Sequence, residues 1–127
     1  MSVQQDHADA VKWYRKLAEQ GDAVAQFFIG KMCENGQGVR QDYAEAVKWY
    51  RKAADQGDAF AQTSLGFMNF SGRGVPQNYV LAHMWFNLAA AQDYAVALRT
   101  RDLTAKEMTP AQIAEAQLLA WEWKPTK

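Results

Sequence analysis

The sequence predicts an all-α chain in which antiparallel helix pairs stack into a solenoid of about seven helices. Three observations carry that prediction. The stretch AVKWYRK occurs at residues 10–16 and again at 46–52, with a looser AHMWFNL at 82–88, so Trp13, Trp49 and Trp85 recur every 36 residues. That interval is the scale of a helical hairpin, a unit too small to bury its apolar face until a neighbour covers it. The second observation is extent: 22 of 36 positions are identical between residues 6–41 and 42–77, which makes this an internal repeat of the whole unit. Third, Ala10, Trp13, Tyr14 and Leu17 fall three and four residues apart, the spacing of one helix face.

Each element follows from local chemistry. A first helix is placed over 6–20, with Asp6 as its cap and Asp9 near the positive end of its dipole. Gly21 supplies a left-handed stop and Asp22 caps a helix over 22–35, so the turn is short enough to force the pair antiparallel. The loop NGQGV (35–39) reverses the chain. Asp42 and Glu45 form a D-x-x-E capping box for a helix over 42–56, and the pattern repeats with Gly57, a helix over 58–71 and the loop SGRGVPQ. The third copy starts normally at 78–92 and then departs. Asp93 stands where the earlier turns have glycine, and Tyr94 stands where they have the capping aspartate. A helix over 93–107 is expected next. A last one starts at Thr109–Pro110–Ala111–Gln112 and runs to about Trp123, where Pro125 prevents continuation. Trp121 also lies 36 residues after Trp85, but its neighbours do not follow the motif and the spacing reads as coincidence. The chain is thus one domain over 1–127: a half repeat (6–20), two hairpins (22–56 and 58–92) and C-terminal capping helices (93–124).

Composition narrows the partners. The 14 basic and 14 acidic residues cancel overall, and they cancel again on either side of Gln77, nine of each before and five of each after. Neither a nucleic-acid face nor a polybasic lipid anchor is expected. The apolar runs are too short to span a bilayer, so no membrane insertion is expected. The first residues, MSVQQDHAD, do not read as a signal peptide; the compartment reads as cytoplasmic for the sequence as given, or periplasmic or secreted if a leader has been removed. Cys33 is alone and reads as a small buried apolar residue.

The unit G-D-A-x-A-Q, then L/I-G-x-M, then N/S-G-x-G-V, then D-Y-x-x-A-x-x-W-Y-R-K-A-A resembles the Sel1-like repeat, a relative of the tetratricopeptide repeat. The match covers 6 to about 92, and the tail MTPAQIAEAQLLAWEW looks like the closing segment of bacterial members. The resemblance implies a right-handed superhelix of antiparallel pairs that works as an adaptor or scaffold for proteins; it does not imply an activity, and no enzymatic role or cofactor is expected. One departure is that the chain opens on the second helix of a repeat, so the Trp13/Tyr14 helix has no preceding partner and offers a possible edge for homodimerisation.

Comparing the two copies points to a site. Along the helix after each Gln-Gly-Asp turn, the differences Val24/Phe60, Phe27/Thr63, Phe28/Ser64, Lys31/Phe67, Glu34/Phe70 and Asn35/Ser71 fall within an arc of roughly 120° at 100° per residue. Matched Ala23, Gln26 and Gly30 share another face. In tetratricopeptide relatives the corresponding helix lines a concave groove. Gln26, Phe27, Phe28, Lys31, Phe60, Gln62, Ser64, Phe67 and Phe70 are therefore the expected groove residues for a protein or peptide partner. Packing of these phenylalanines against the next hairpin is the competing reading, and their accessibility decides between the two.

Trp49 and Tyr50 are expected in the core. Gly30 and Gly66 each cost about 1 kcal/mol inside a helix, and a close helix crossing is the expected compensation. No catalytic residues and no metal ligands are assigned. His7 and His83 lie in different repeats without ligands at metal spacing, and the paired glycines of the loops serve turn geometry. A β-lactamase-like hydrolase, as linked to cysteine-rich relatives, is the alternative function, but the paired cysteines are missing. A structural spacer without a groove ligand is the third reading.

Overall fold

The computed structural model describes residues 3–126, which form seven helices: α1 (Val3–Glu19), α2 (Ala23–Asn35), α3 (Tyr43–Asp55), α4 (Ala59–Ser71), α5 (Tyr79–Ala90), α6 (Ala95–Ala105) and α7 (Pro110–Glu122). Hairpins form where α2 lies on α3 and α4 lies on α5, and α1 on α2 and α3 on α4 join them into a stack. Both α6 and α7 then pack on α5.

Helix starts are fixed by side chains that satisfy otherwise orphaned amides. Asp22, Asp42, Asp58 and Asn78 each accept a hydrogen bond from the backbone N–H three residues on. At α7 both bonds of a capping box form between Thr109 and Gln112. The expected box at Asp42 is only half made. Asp42 accepts from the Glu45 amide, while the Glu45 carboxylate turns to Lys48 at 3.8 Å instead of back to the cap. Asp6 lies inside the first turn of α1, not at its cap, because the helix begins earlier than the acidic residue suggests.

The core runs along the seam of the stack. Tyr50, Phe86, Ala46, Ala53, Ala61 and Ala89 are fully buried, with Trp49 and Trp85 nearly so. Small residues let the helices close. A Cβ on Gly66 would stand 2.5 Å from the Phe86 ring, and one on Gly30 would stand 2.6 Å from the Tyr50 ring. The ring of one helix therefore lies directly on the backbone of its partner, which is the compensation expected for glycine in a helix.

A second repeating device is polar. Buried Gln26 donates from Nε2 to the Ala18 carbonyl and accepts from Gln56; 36 residues later Gln62 donates to the Ala54 carbonyl and accepts from Gln92. Each such pair ties a helix start to the helices on either side of it.

The third copy keeps the repeat's timing but not its turn chemistry. Helix α6 begins 36 residues after α4, yet its turn passes through Asp93 at φ 65°, where Gly21 and Gly57 sit near 99° and 97°. Tyr94 makes no side-chain cap. After α7 the chain folds back: Trp123 meets Trp85 edge-on at 6.3 Å, and Thr126 donates both its amide and its hydroxyl to the Asp55 carbonyl. Trp121, by contrast, points into solvent at 88 % exposure.

Candidate functional site

The helices α2 and α4 present the arc singled out by comparing the copies, and its phenylalanines are not swallowed by the core. Phe28, Phe60 and Phe67 are exposed, at 39 %, 53 % and 44 %. Phe27, Lys31 and Phe70 are half-buried. The three polar residues expected beside them sit elsewhere. Gln26 and Gln62 are buried because their amides are spent on the Ala18 and Ala54 carbonyls. Ser64 is buried beside the Tyr50 hydroxyl. Those three hold the scaffold together and line neither of the cavities on this face.

Burial of Thr63 and Ser64 at the middle of α4 divides the arc in two. At one end lies an aromatic ladder. Trp13, Tyr14, Phe28, Phe27, Phe60 and Tyr94 follow one another with ring centroids 5.0, 5.1, 5.5, 5.9 and 5.1 Å apart, from α1 across α2 and α4 to the start of α6. Such separations are the usual range for tilted and edge-to-face pairs. Between the rungs Val24, Phe27, Phe28, Phe60 and Asp58 line a cavity of about 330 Å³. At the other end a smaller, almost wholly apolar cavity of about 130 Å³ lies among Phe67, Phe70, Phe86, Thr100, Leu103 and Thr104.

Sequence comparison of two copies missed the contribution of α6. Leu98 and Leu103 are exposed at 44 % and 57 %, and Tyr94 extends the ladder. Leu103 stands 36 residues after Phe67 and 72 after Lys31, so extending the alignment to the divergent third copy finds it. The motif's cations, which helix amphipathicity alone assigns to a solvated face, do more than that: Lys52 lies over its own Trp49 at 4.6 Å, and Arg51 lies over Trp85 of the next repeat at 5.6 Å.

Electrostatics on this face are mild. Lys31 sits over Phe27 at 5.9 Å and 3.9 Å from Glu34, which also accepts the Tyr50 hydroxyl. Burial, then that bond to Glu34, pushes the Tyr50 phenol far above its ordinary range, so it stays a donor. Burial raises the Asp58 carboxyl. Away from the face, burial raises the Cys33 thiol, helped by nearby Glu45, so the thiol is held protonated and inert. His83 is buried. Burial, then Arg101, lowers its pKa, and its Nδ1 has no hydrogen-bond partner. Among the described residues, no group of three or more His, Cys, Asp or Glu side chains is placed to hold a metal ion. No helix among them is long and apolar enough to cross a membrane.

A stack of short helical hairpins with an uncovered aromatic face defines a repeat protein of the α-solenoid class. The Sel1 repeat profile matches residues 1–22, 23–58 and 59–94, and the chain belongs to the Sel1 repeat family. Solved structures similar to it include the following two. One is a protective antigen present in uropathogenic Escherichia coli strains, displaying an SLR fold; it is 38 % identical with a TM-score of 0.92 over 96 % of this chain. The other is a Sel1 repeat protein from Oxalobacter formigenes, 35 % identical with a TM-score of 0.76 over 91 % of this chain. The matches span 26 % and 49 % of those two chains, so this chain corresponds to about a quarter of one and half of the other. No curated protein matches the sequence. Sel1 repeats generally serve as protein–protein interaction scaffolds and generally carry no enzymatic activity.

Proposed function

We propose that this chain is a non-enzymatic scaffold that holds a peptide or protein segment across the face formed by α2, α4 and α6. One observation carries the reading: Val24, Phe28, Phe60, Phe67, Leu98 and Leu103, six of the large apolar side chains most open to solvent, all belong to those three helices. Grouped exposed apolar surface marks interaction sites, because leaving it in water forgoes roughly 25 cal/mol per Å² that a partner would recover. The 93–124 segment acts in this reading as the cap that ends the stack while lending Leu98 and Leu103 to the face.

A random peptide library selected against the immobilised chain tests the proposal. Wild type is expected to enrich a peptide family that Phe67→Asp combined with Leu103→Asp does not retain, with the urea midpoint held. Both side chains are exposed, although Phe67 meets Phe86 edge-on at 5.2 Å, whereas Phe70 is half-buried against Tyr79 and is a poorer choice. Equal enrichment by wild type and variant would refute the groove.

A second reading concerns α1, where Trp13 is 61 % exposed although its equivalents Trp49 and Trp85 are buried. A second copy docking on that flank would cover it. Light scattering that stays monomeric at millimolar concentration would refute this.

A further inference from the structure

We infer that the cavity between Val24, Phe27, Phe28, Phe60 and Asp58 is a cation box that takes a lysine side chain of the bound polypeptide. The inference rests on reading this face as the partner groove, and it names the chemistry of one anchor.

The walls are three non-parallel rings. Phe27 stands 5.5 Å from Phe28 with 57° between their planes, and 5.9 Å from Phe60 with 37° between theirs. Ring faces are negative and attract ammonium groups, each by about 0.5–1 kcal/mol at exposed sites and more where water is excluded. This protein already uses one of those rings in that way, since Lys31 lies over Phe27, and Lys31 is not among the residues lining the cavity. At about 330 Å³ the space is at the low end for ligand sites, which run from about 300 to 1,000 Å³.

Asp58 supplies the charge. Its Oδ2 accepts from the Ala61 amide at 2.8 Å, and among the described residues no lysine, arginine or histidine pairs with it. Burial raises its pKa, as a carboxylate short of water and of a counter-ion requires. The amino terminus of α4 opposes a cation with about half a unit of positive charge, but a full carboxylate charge outweighs it. An apolar stem with a terminal ammonium therefore satisfies both features. An acidic guest would meet the carboxylate, and a neutral aliphatic one would leave it unpaired.

Contrast with the other copies shows that the box is particular to this position. Asp22 caps α2 just as Asp58 caps α4, but two residues on it is followed by Val24 where α4 has Phe60, and Asp22 is exposed. In the third copy the cap is Tyr94 and no carboxylate stands there.

Titration of the whole chain with N-acetyl-lysine amide, against N-acetyl-norleucine amide, which has the same four-carbon stem without the ammonium, tests the inference by NMR of the phenylalanine rings and the amides of residues 24–28 and 58–61. The lysine derivative is expected to bind about five- to tenfold more tightly than norleucine. Asp58→Asn, which keeps the helix cap, is expected to erase that preference, and Phe60→Ala is expected to weaken lysine binding by at least about threefold. Norleucine binding as well as lysine, or a preference unchanged in Asp58→Asn, would overturn the box. Choline binding more tightly than the lysine derivative would overturn the assignment to a polypeptide side chain. The titration uses no partner protein, so its failure leaves the outcome for Phe67→Asp with Leu103→Asp untouched.

Discussion

Gly66→Ala is the most direct probe of how the hairpins close. On an exposed helix the change would stabilise by about 1 kcal/mol, because alanine is the better helix former. Here the new methyl would stand 2.5, 2.7 and 3.0 Å from three atoms of the Phe86 ring. Ordinary carbon contacts are about 3.5–4.0 Å, so the ring must retreat by roughly 1 Å. Phe86 is fully buried, so its ring can retreat only into the cavity of about 130 Å³ that it lines with Phe67 and Leu103, or by moving α5. Overpacking of this kind costs typically about 1–3 kcal/mol, and three simultaneous clashes place it at the upper end. The steric term wins, for a net loss of about 2 kcal/mol and a drop in melting temperature of about 6–8 °C in a chain of this size. Urea titration followed by far-ultraviolet circular dichroism measures it, with an unchanged slope as the sign that only stability has moved. Phe86→Leu shortens the ring away, so Gly66→Ala is expected to cost less in that background. A rise in midpoint on Gly66→Ala, as helix propensity alone dictates, would refute the direct seating of ring on backbone.

Two further outcomes follow from single residues. Asp93→Gly relieves a non-glycine residue at φ 65° in a turn that uses glycine in the other two copies, and is expected to add about 1 kcal/mol to the urea midpoint free energy; a loss of stability would show that the Asp93 side chain does more than tolerate the turn. His83 is buried with its pKa below the ordinary 6.5, so the unfolded chain takes up the proton first as pH falls. Its contribution is intact above that value and is lost as pH drops below it. His83→Val, which restores the residue found at 11 and 47, is expected to flatten the fall in stability between about pH 7 and 5, and an unchanged slope would refute the assignment.

Much of the architecture was legible because the copies check one another. The cap aspartates, the turn glycines and the buried Trp49 and Tyr50 recur in register, so each assignment was made twice. Legibility failed where the chemistry is shared between neighbours. Gln26 and Gln62 look like polar groove residues in a single helix, but their partners, Gln56 and Gln92, lie 30 residues away in sequence. Arg51 likewise reads as a surface cation until Trp85 of the following unit is laid beneath it. In the divergent third copy, Asp93 and Tyr94 hid the equivalence of Leu103 with Phe67. Two-copy comparison thus located the arc and its exposed phenylalanines, but neither the break at Thr63 and Ser64 nor the third helix that widens the face.

The glutamine pairs carry one more implication, for mechanics. Gln62 is sealed from water and holds the Ala54 carbonyl with one hand and Gln92 with the other, so rotating one unit against the next would strand the Gln62 amide where no solvent reaches. Curvature is then stepped in whole units and resists bending between them. Under the proposed groove, a guest would have to conform to a rigid trellis, and selectivity would come from its ability to take that shape.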